Sequence, residues 1–349
     1  MKITNLIFLL TVIIIYSGLN YFLIYKTTSL LPATLKPLFY TLVVILFFLP
    51  FITIFLLKIG LYHLSKSIIF ISHLYLIFLF LFLSFSILLS LINIFLNLNN
   101  RTFTYFLTLI TTLIFIIYGY FETDRIKEKT IEIKTSKIKK HNIKIMHISD
   151  LHFSIIRGKD LAFKIKKTYD KIKPDIVLFT GDLIDSYNHE INEIIDILKN
   201  INPPLGKYSV LGNHEYYYGI DKSIELHKKA GFEILRNKSI ELEELEIIGI
   251  DEINSHNIIF KNSNKYTILL KHRPYPENTE FDLQLSGHTH GGQIFPFTLL
   301  VSLYYKYPSG LHKISSNKLI YVHKGTGTWG PIRIFATPEI VIIKIIKND

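Results

Sequence analysis

The sequence predicts an N-terminal all-α region of four transmembrane spans over residues 1–121, followed by an α/β sandwich over residues 143–349. A charged linker with a first strand joins them at residues 122–142. Three observations carry this reading. Residues 1–121 contain no Asp or Glu and only six basic residues, Lys2, Lys26, Lys36, Lys58, Lys66 and Arg101. The same region holds four successive apolar runs of membrane length. Beyond it, β-branched runs alternate with amphipathic helical stretches. Over the whole chain, 49% of residues are hydrophobic and 19% charged, against about a quarter charged in an ordinary soluble protein. That composition excludes a disordered chain, which needs low hydrophobicity.

A bilayer core about 30 Å thick needs roughly 20 apolar residues at the helical rise. Residues 3–24, 38–57, 67–98 and 102–121 meet that length, the second interrupted by Pro50 and the third carrying His73. The third exceeds one straight span, which predicts tilt or an interfacial extension. Residues 1–24 are too long and lack the small-residue site of a cleaved signal peptide. With four spans and the N-terminus inside, the inner flanks hold Lys2, Lys58, Lys66, Arg125, Lys127 and Lys129. The outer flanks hold Lys26, Lys36 and Arg101. This excess predicts a multi-pass protein with a cytoplasmic C-terminal domain. Six of the net +11 charges flank the apolar runs, leaving +5 for the rest. Nucleic acid is therefore not expected as a partner; the lipid bilayer is.

Residues 122–140 read as a charged linker with a short β pattern at 130–134. Strands are predicted at 143–149, 175–180, 208–211, 245–250, 266–271, 281–286, 318–323 and 340–346. Helices are predicted at 159–171, 189–200 and 221–230. The order, β and α alternating and then mostly β, suits a layered sandwich.

The chemistry lies where five of these strands end. They are followed by Asp150-Leu-His152, by Gly181-Asp182, by Gly212-Asn213-His214-Glu215, by His272 and by Gly287-His288-Thr289-His290. Sites in α/β sheets gather at the carboxyl edge. Residues two apart, as in Asp-x-His and His-x-His, point the same way if extended. The chain has no cysteine, so thiolate sites and disulfides are excluded. A set of carboxylates, imidazoles and an amide oxygen suits Mn, Fe, Zn or Ni, and neither an Fe–S cluster nor a Ca²⁺ loop.

In this order the motifs DLH, GDLID, GNHE, KHRP and SGHTHGGQ resemble those of the calcineurin-like metallophosphoesterases, over about residues 143–347. ISDLH, LSGHTHGGQ and GTGTWGPIRIFATPEI resemble a bacterial branch that is often membrane-anchored. The resemblance implies two mixed β-sheets flanked by helices, and two divalent metal ions bridged by a carboxylate and a hydroxide. By matched position Asp150, His152, Asp182 and His290 would hold the first ion. Asp182, Asn213, His272 and His288 would hold the second, with Asp182 as the bridge. His214 would protonate the leaving oxygen or stabilise transition-state charge. Glu215 is expected to orient His214 or its loop, and Asp185 to stand beside the centre without being a ligand. The implied activity is hydrolysis of a phosphomonoester, phosphodiester or pyrophosphate by attack of the metal-bound hydroxide. A two-metal site lowers the pKa of water and clamps phosphoryl oxygens. The anchor favours a phosphorylated substrate that is itself lipid-linked.

Other features are weighed differently. Residues 325–330 match GxGxxG, but Pro331 follows where a dinucleotide site needs a helix, so a loop is expected. Arg333 is expected to contact substrate phosphate or to form a surface or structural ion pair. The run 216–218, three tyrosines, suits substrate packing, the membrane interface or the core. Residues 134–140 suit a solvated linker or anionic lipid. His141, His147, His189, His227, His256, His312 and His323 are left unassigned. Two rival classes remain: a non-catalytic membrane receptor or scaffold, which loss of a ligand would favour, and a nuclease, which needs a basic groove.

Overall fold

The computed structural model describes residues 3–96, 100–139, 142–186, 188–253, 258–260 and 263–348. Lys2, Lys140, His141 and His256 lie outside them. The chain divides into two compact units, Met1–Tyr120 and Phe121–Asp349.

The first unit consists of α1 (Ile3–Thr28), α2 (Lys36–Lys58), α3 (Tyr62–Phe95) and α4 (Arg101–Thr123), the last of which runs on into the second unit. All four are long and apolar enough to cross a membrane. Their outward residues are largely apolar, among them Leu38, Ile54, Ile94 and Phe121, as lipid requires and water does not. The interior is packed by Leu23, Val43, Tyr75, Leu79 and Phe82. Within it the Tyr75 hydroxyl donates to Asn20 Oδ1 at 2.5 Å, which satisfies two polar groups that lipid would leave unpaired. Pro50 is accommodated inside α2.

The second unit runs β1 (Lys127–Thr135), β2 (Ile143–Ile148), α5 (Lys159–Ile172), β3 (Ile176–Phe179), α6 (Ile191–Lys199), β4 (Lys207–Ser209), α7 (Asn213–Tyr218), α8 (Ile220–Lys229), β5 (Glu233–Ile234), β6 (Lys238–Glu241), β7 (Leu245–Gly249), β8 (Tyr266–Leu270), β9 (Leu283–Ser286), α9 (Phe297–Tyr304), β10 (Gly310–Lys313), β11 (Leu319–Val322) and β12 (Glu339–Lys347). Two six-stranded mixed sheets result, ordered β1-β12-β2-β3-β4-β5 and β10-β11-β9-β8-β7-β6.

Side-chain alternation explains the layers. Ile143, Ile145, Ile176 and Leu178 face the second sheet and pack on Ile247, Ile268, Leu283 and Leu285. Their neighbours Met146, Ile148, Val177 and Phe179 face outward onto Leu161, Ile165, Ile194 and Leu198 of α5 and α6. Strands buried on both faces read as continuous apolar runs, which is why they were legible. In each sheet a block of parallel strands, β2-β3-β4-β5 and β7-β8-β9-β11, points the same way. The loops after β2, β3, β4, β8 and β9 can therefore meet at one edge.

The short β pattern expected at 130–134 in the linker is part of a longer strand. Lys127–Thr135 is a nine-residue edge strand, parallel to β12 over its whole length. Only Ile131 and Ile133 face the core. Glu132 meets Lys344 at 3.0 Å on one face, while Lys129 lies on the face of Ile131 and Ile133 with its Nζ 5.2 Å from the Tyr321 ring. Charged edges of this kind resist pairing with other chains.

Candidate metal centre

Each candidate ligand follows directly on a strand. Asp150 and His152 follow β2, Asp182 follows β3, and Asn213 opens α7 just after β4. His272 follows β8, and His288 and His290 follow β9. The side chains converge, but not through extended backbone as the two-residue spacing suggested. Asp150, His152, Asp182, His288 and His290 all have positive φ, between 49° and 71°. Each such non-glycine residue costs of order 1 kcal/mol or more and persists only when its surroundings enforce it. Here the loops enforce one another. Asp150 N donates to Gly181 O at 2.9 Å and His152 N to Asp182 O at 3.1 Å. His288 N donates to Asp150 Oδ1, and His214 N to Asp182 Oδ1, both at 2.9 Å. Gly212 sits so close that a Cβ there would strike Asp182 Oδ1 and lie 2.8 Å from His272 Cε1.

The donor atoms fall into two adjoining groups. In one, Asp150, His152 and His290 bring ligand atoms within 4.8 Å of one another. In the other, Asp150, Asp182 and His272 do so. Asn213 Oδ1 and His288 Nδ1 lie 3.1 and 3.2 Å from His272 Nε2, which joins them to the second. Asp182 Oδ2 stands between the groups, 3.6 Å from His152 Nε2 and 3.2 Å from His272 Nε2. All seven residues named from the sequence are thus brought together.

Hydrogen bonds fix the rings. His272 Nδ1 donates to Thr180 O at 2.7 Å, so Nε2 is the nitrogen turned toward the centre. Asp185 Oδ1 accepts from His152 Nδ1 at 2.5 Å and from His214 Nδ1 at 2.6 Å. Asp185 is therefore the orienting group for two histidines. Arg333 donates to His290 Nδ1 at 2.9 Å.

Of the alternatives expected for Arg333 and Glu215, the structure shows a supporting place for each. Arg333 is fully buried and spends its guanidinium on His290 and on the carbonyls of Lys324, Gly327 and Ala336. It forms neither a phosphate-contacting arm nor a surface ion pair, because the loop at residues 325–336 wraps around it. Glu215 holds the loop of His214, one of its two expected roles. Its carboxylate accepts from Gly212 N, Asp182 N and Leu183 N at 2.7, 3.0 and 2.6 Å, bracing two loops. His227, left unassigned, lies buried behind it, 3.3 Å from Glu215 and 3.0 Å from Ser209. Ser223 and His227 lie four apart on the buried face of α8. Two polar residues at that spacing on an otherwise apolar face were the available signal. Of the three tyrosines, Tyr216 bonds Asp251 at 2.8 Å and Tyr217 sets its ring 5.3 Å from that of His214. Residues 325–330 form a loop, as expected, whose backbone bonds Ser149 and Asp150.

The donor set fits divalent cations. Asp150 Oδ2 is a buried acceptor with no hydrogen-bond partner. Around His272 Nε2 stand Asn213 Oδ1 and Asp182 Oδ2, both acceptors, so that position calls for positive charge. The imidazole reflects it: burial opposes its charge, but Asp182, Asp150 and Glu252 prevail and raise it to about 10. Asp182 is likewise opposed by burial but held well below the usual carboxylate range by His272, His152 and His214. Burial and the charge of His272 push His288 down to about 3.

Comparison with known proteins agrees with this geometry. The profile of calcineurin-like phosphoesterases matches residues 143–292. An uncharacterized metallophosphoesterase of Aquifex aeolicus is 38% identical over 206 residues, which are 54% of this chain and 78% of that protein. One from Campylobacter jejuni is 34% identical over 260 residues, 68% of this chain and 69% of that protein. A Danio rerio transmembrane protein with metallophosphoesterase domain is 31% identical over 214 residues, 53% of this chain and 49% of that protein. With two-thirds or more of the first two relatives aligned at over 30% identity, the chain belongs to the calcineurin-like metallophosphoesterase family.

Proposed function

We propose that this chain is a membrane-anchored, dinuclear metal-dependent phosphoesterase. Its substrate is a phosphomonoester, phosphodiester or pyrophosphate, with lipid-linked phosphates favoured, and its catalytic unit faces the cytoplasm. The observation that carries the reading is the meeting of Asp150, His152, Asp182, Asn213, His272, His288 and His290 at one sheet edge, with Asp182 Oδ2 between the two donor groups. The cytoplasmic side rests on the excess of Lys and Arg at the expected inner flanks.

Asp150, His152, Asp182 and His290 would hold one ion, and Asp182, Asn213, His272 and His288 the other. When bound, such a pair supplies Lewis-acid activation of water and a clamp for phosphoryl oxygens. The chain's own groups supply the rest. Asp185 accepts a hydrogen bond from His214 Nδ1 at 2.6 Å and so aims Nε2, which would give its proton to the leaving oxygen. The neutral amide of Asn213 limits the negative charge that an anionic substrate must approach. Glu215 and Arg333 keep the loops from relaxing out of their left-handed turns.

The test is hydrolysis of bis-p-nitrophenyl phosphate and of a lipid pyrophosphate by the purified full-length protein with Mn²⁺. Wild type should be active and Asp182→Asn inactive. Equal rates in the two would reject the site.

A further inference from the structure

One part of the second unit is unlike the rest of its surface. Residues 283–338 contain no Asp or Glu, while Lys306, Lys313 and Lys324 occur there. The segment includes α9, sequence FTLLVSLY, in which no residue is buried. Leu303 is 83% exposed and Tyr304 76%, with Leu299 and Leu300 also more than half exposed. Beside it, the backbone of Ile334 donates to Gln293 O at 2.8 Å, and the side chain of Gln293 bonds the backbone of Trp329. The Phe295 and Phe335 rings meet at 5.9 Å. These bonds knit residues 293–305 and 329–335 into one surface, on which Trp329 and Phe335 are also more than half exposed. The surface adjoins the metal centre: the Tyr305 ring lies 6.4 Å from that of His288, and Arg333 bonds His290.

Contiguous exposed apolar side chains of this kind mark an interaction surface. Its chemistry selects the partner. Leu and Phe with Trp and Tyr is the composition of the membrane interface. A segment without acidic side chains and with exposed Lys306 beside the helix complements anionic headgroups. A bilayer is also at hand. Only Asp124, Arg125 and Ile126 separate α4, of membrane length, from β1.

We propose that α9, together with Trp329 and Phe335, docks into the headgroup–acyl boundary of an anionic bilayer. The His288 side of the centre then opens toward molecules lodged in that leaflet. This corollary rests on the phosphoesterase reading; the docking does not, and is tested without catalysis.

Trp329 is the sole tryptophan and the chain has no cysteine, so the native protein carries one reporter and accepts another. Full-length protein is reconstituted into vesicles of phosphatidylglycerol and phosphatidylcholine, with or without bromine on the acyl chains. Trp329 emission should be blue-shifted and should lose most of its intensity in brominated vesicles. In Leu300→Asp/Leu303→Asp the quenching should largely disappear. A bimane on Leu303→Cys should be quenched by the same lipids, and one on Ser316→Cys should not. Unquenched emission from both Trp329 and the Leu303 label overturns the proposal. So does protection of Trp329 from aqueous iodide without lipid quenching, which would assign the surface to a protein partner.

Discussion

Asp185 Oδ1 accepts a hydrogen bond from His214 Nδ1 at 2.6 Å and another from His152 Nδ1 at 2.5 Å. One residue thus links His214 to the candidate ligand His152. Asp185→Ala should lower kcat by about 10²-fold, the usual scale for a misoriented general acid. It should also weaken Mn²⁺ binding by about 10- to 100-fold, the usual loss for an orienting partner of a ligand. Steady-state kinetics and metal titration check both; wild-type values for both would remove Asp185 from the mechanism.

Gly212 is needed for close approach rather than for an unusual φ, since its backbone is extended. Gly212→Ala should push Asp182 and His272 apart, reduce bound Mn²⁺ and cost about 1–3 kcal/mol of stability, as overpacking does. Metal analysis alongside thermal unfolding tests this. A variant that binds two ions at wild-type stability would show that the loop yields freely.

Arg333 leaves three carbonyls and His290 Nδ1 unpaired if truncated. Arg333→Met should destabilise the fold by about 3–5 kcal/mol, the scale for breaking a buried charged network. Arg333→Lys keeps the charge but loses the fork, and should fall between. Denaturant unfolding in detergent micelles measures the order, and equal stability of all three proteins would contradict it.

Behind the centre, His147 and His323 are fully buried, with ring centroids 4.8 Å apart. Burial, then the charge of His323, holds His147 well below its usual range; burial, then Arg333, pushes His323 down to about 3. Unfolded histidines titrate near 6.5. Between pH 6.5 and 3 the unfolded chain therefore binds protons that the folded chain refuses. The pair's contribution is intact above pH 6.5 and is lost as pH falls through that window. His323→Gln should flatten the stability curve over this range while leaving its slope at pH 7–8 unchanged. An acid limb as steep as wild type would contradict the assignment.

How far this was legible in the sequence varies by element. The buried parallel strands announced themselves because both faces are apolar, and the candidate ligands because each follows such a run. Periodicity marked residues 130–134 as β but not the full strand Lys127–Thr135, since its core contacts in the sheet layer are Ile131 and Ile133. The two-residue strand β5 and the six-residue helix α7 are too short for any period to register. Left-handed turns at Asp150, His152, Asp182, His288 and His290 could not be read, because residue type there obeys the chemistry and the neighbouring loops force the backbone. Arg333 and Glu215 were noticed, but whether a charged side chain turns inward depends on loops that close around it from other parts of the chain.

The most direct measurement is diffraction at the manganese edge from crystals of the full-length protein grown with Mn²⁺. Two anomalous peaks are expected, one among Asp150, His152, Asp182 and His290 and the other among Asp182, Asn213, His272 and His288. A map with no peak among these seven side chains would contradict the assignment of a metal centre here.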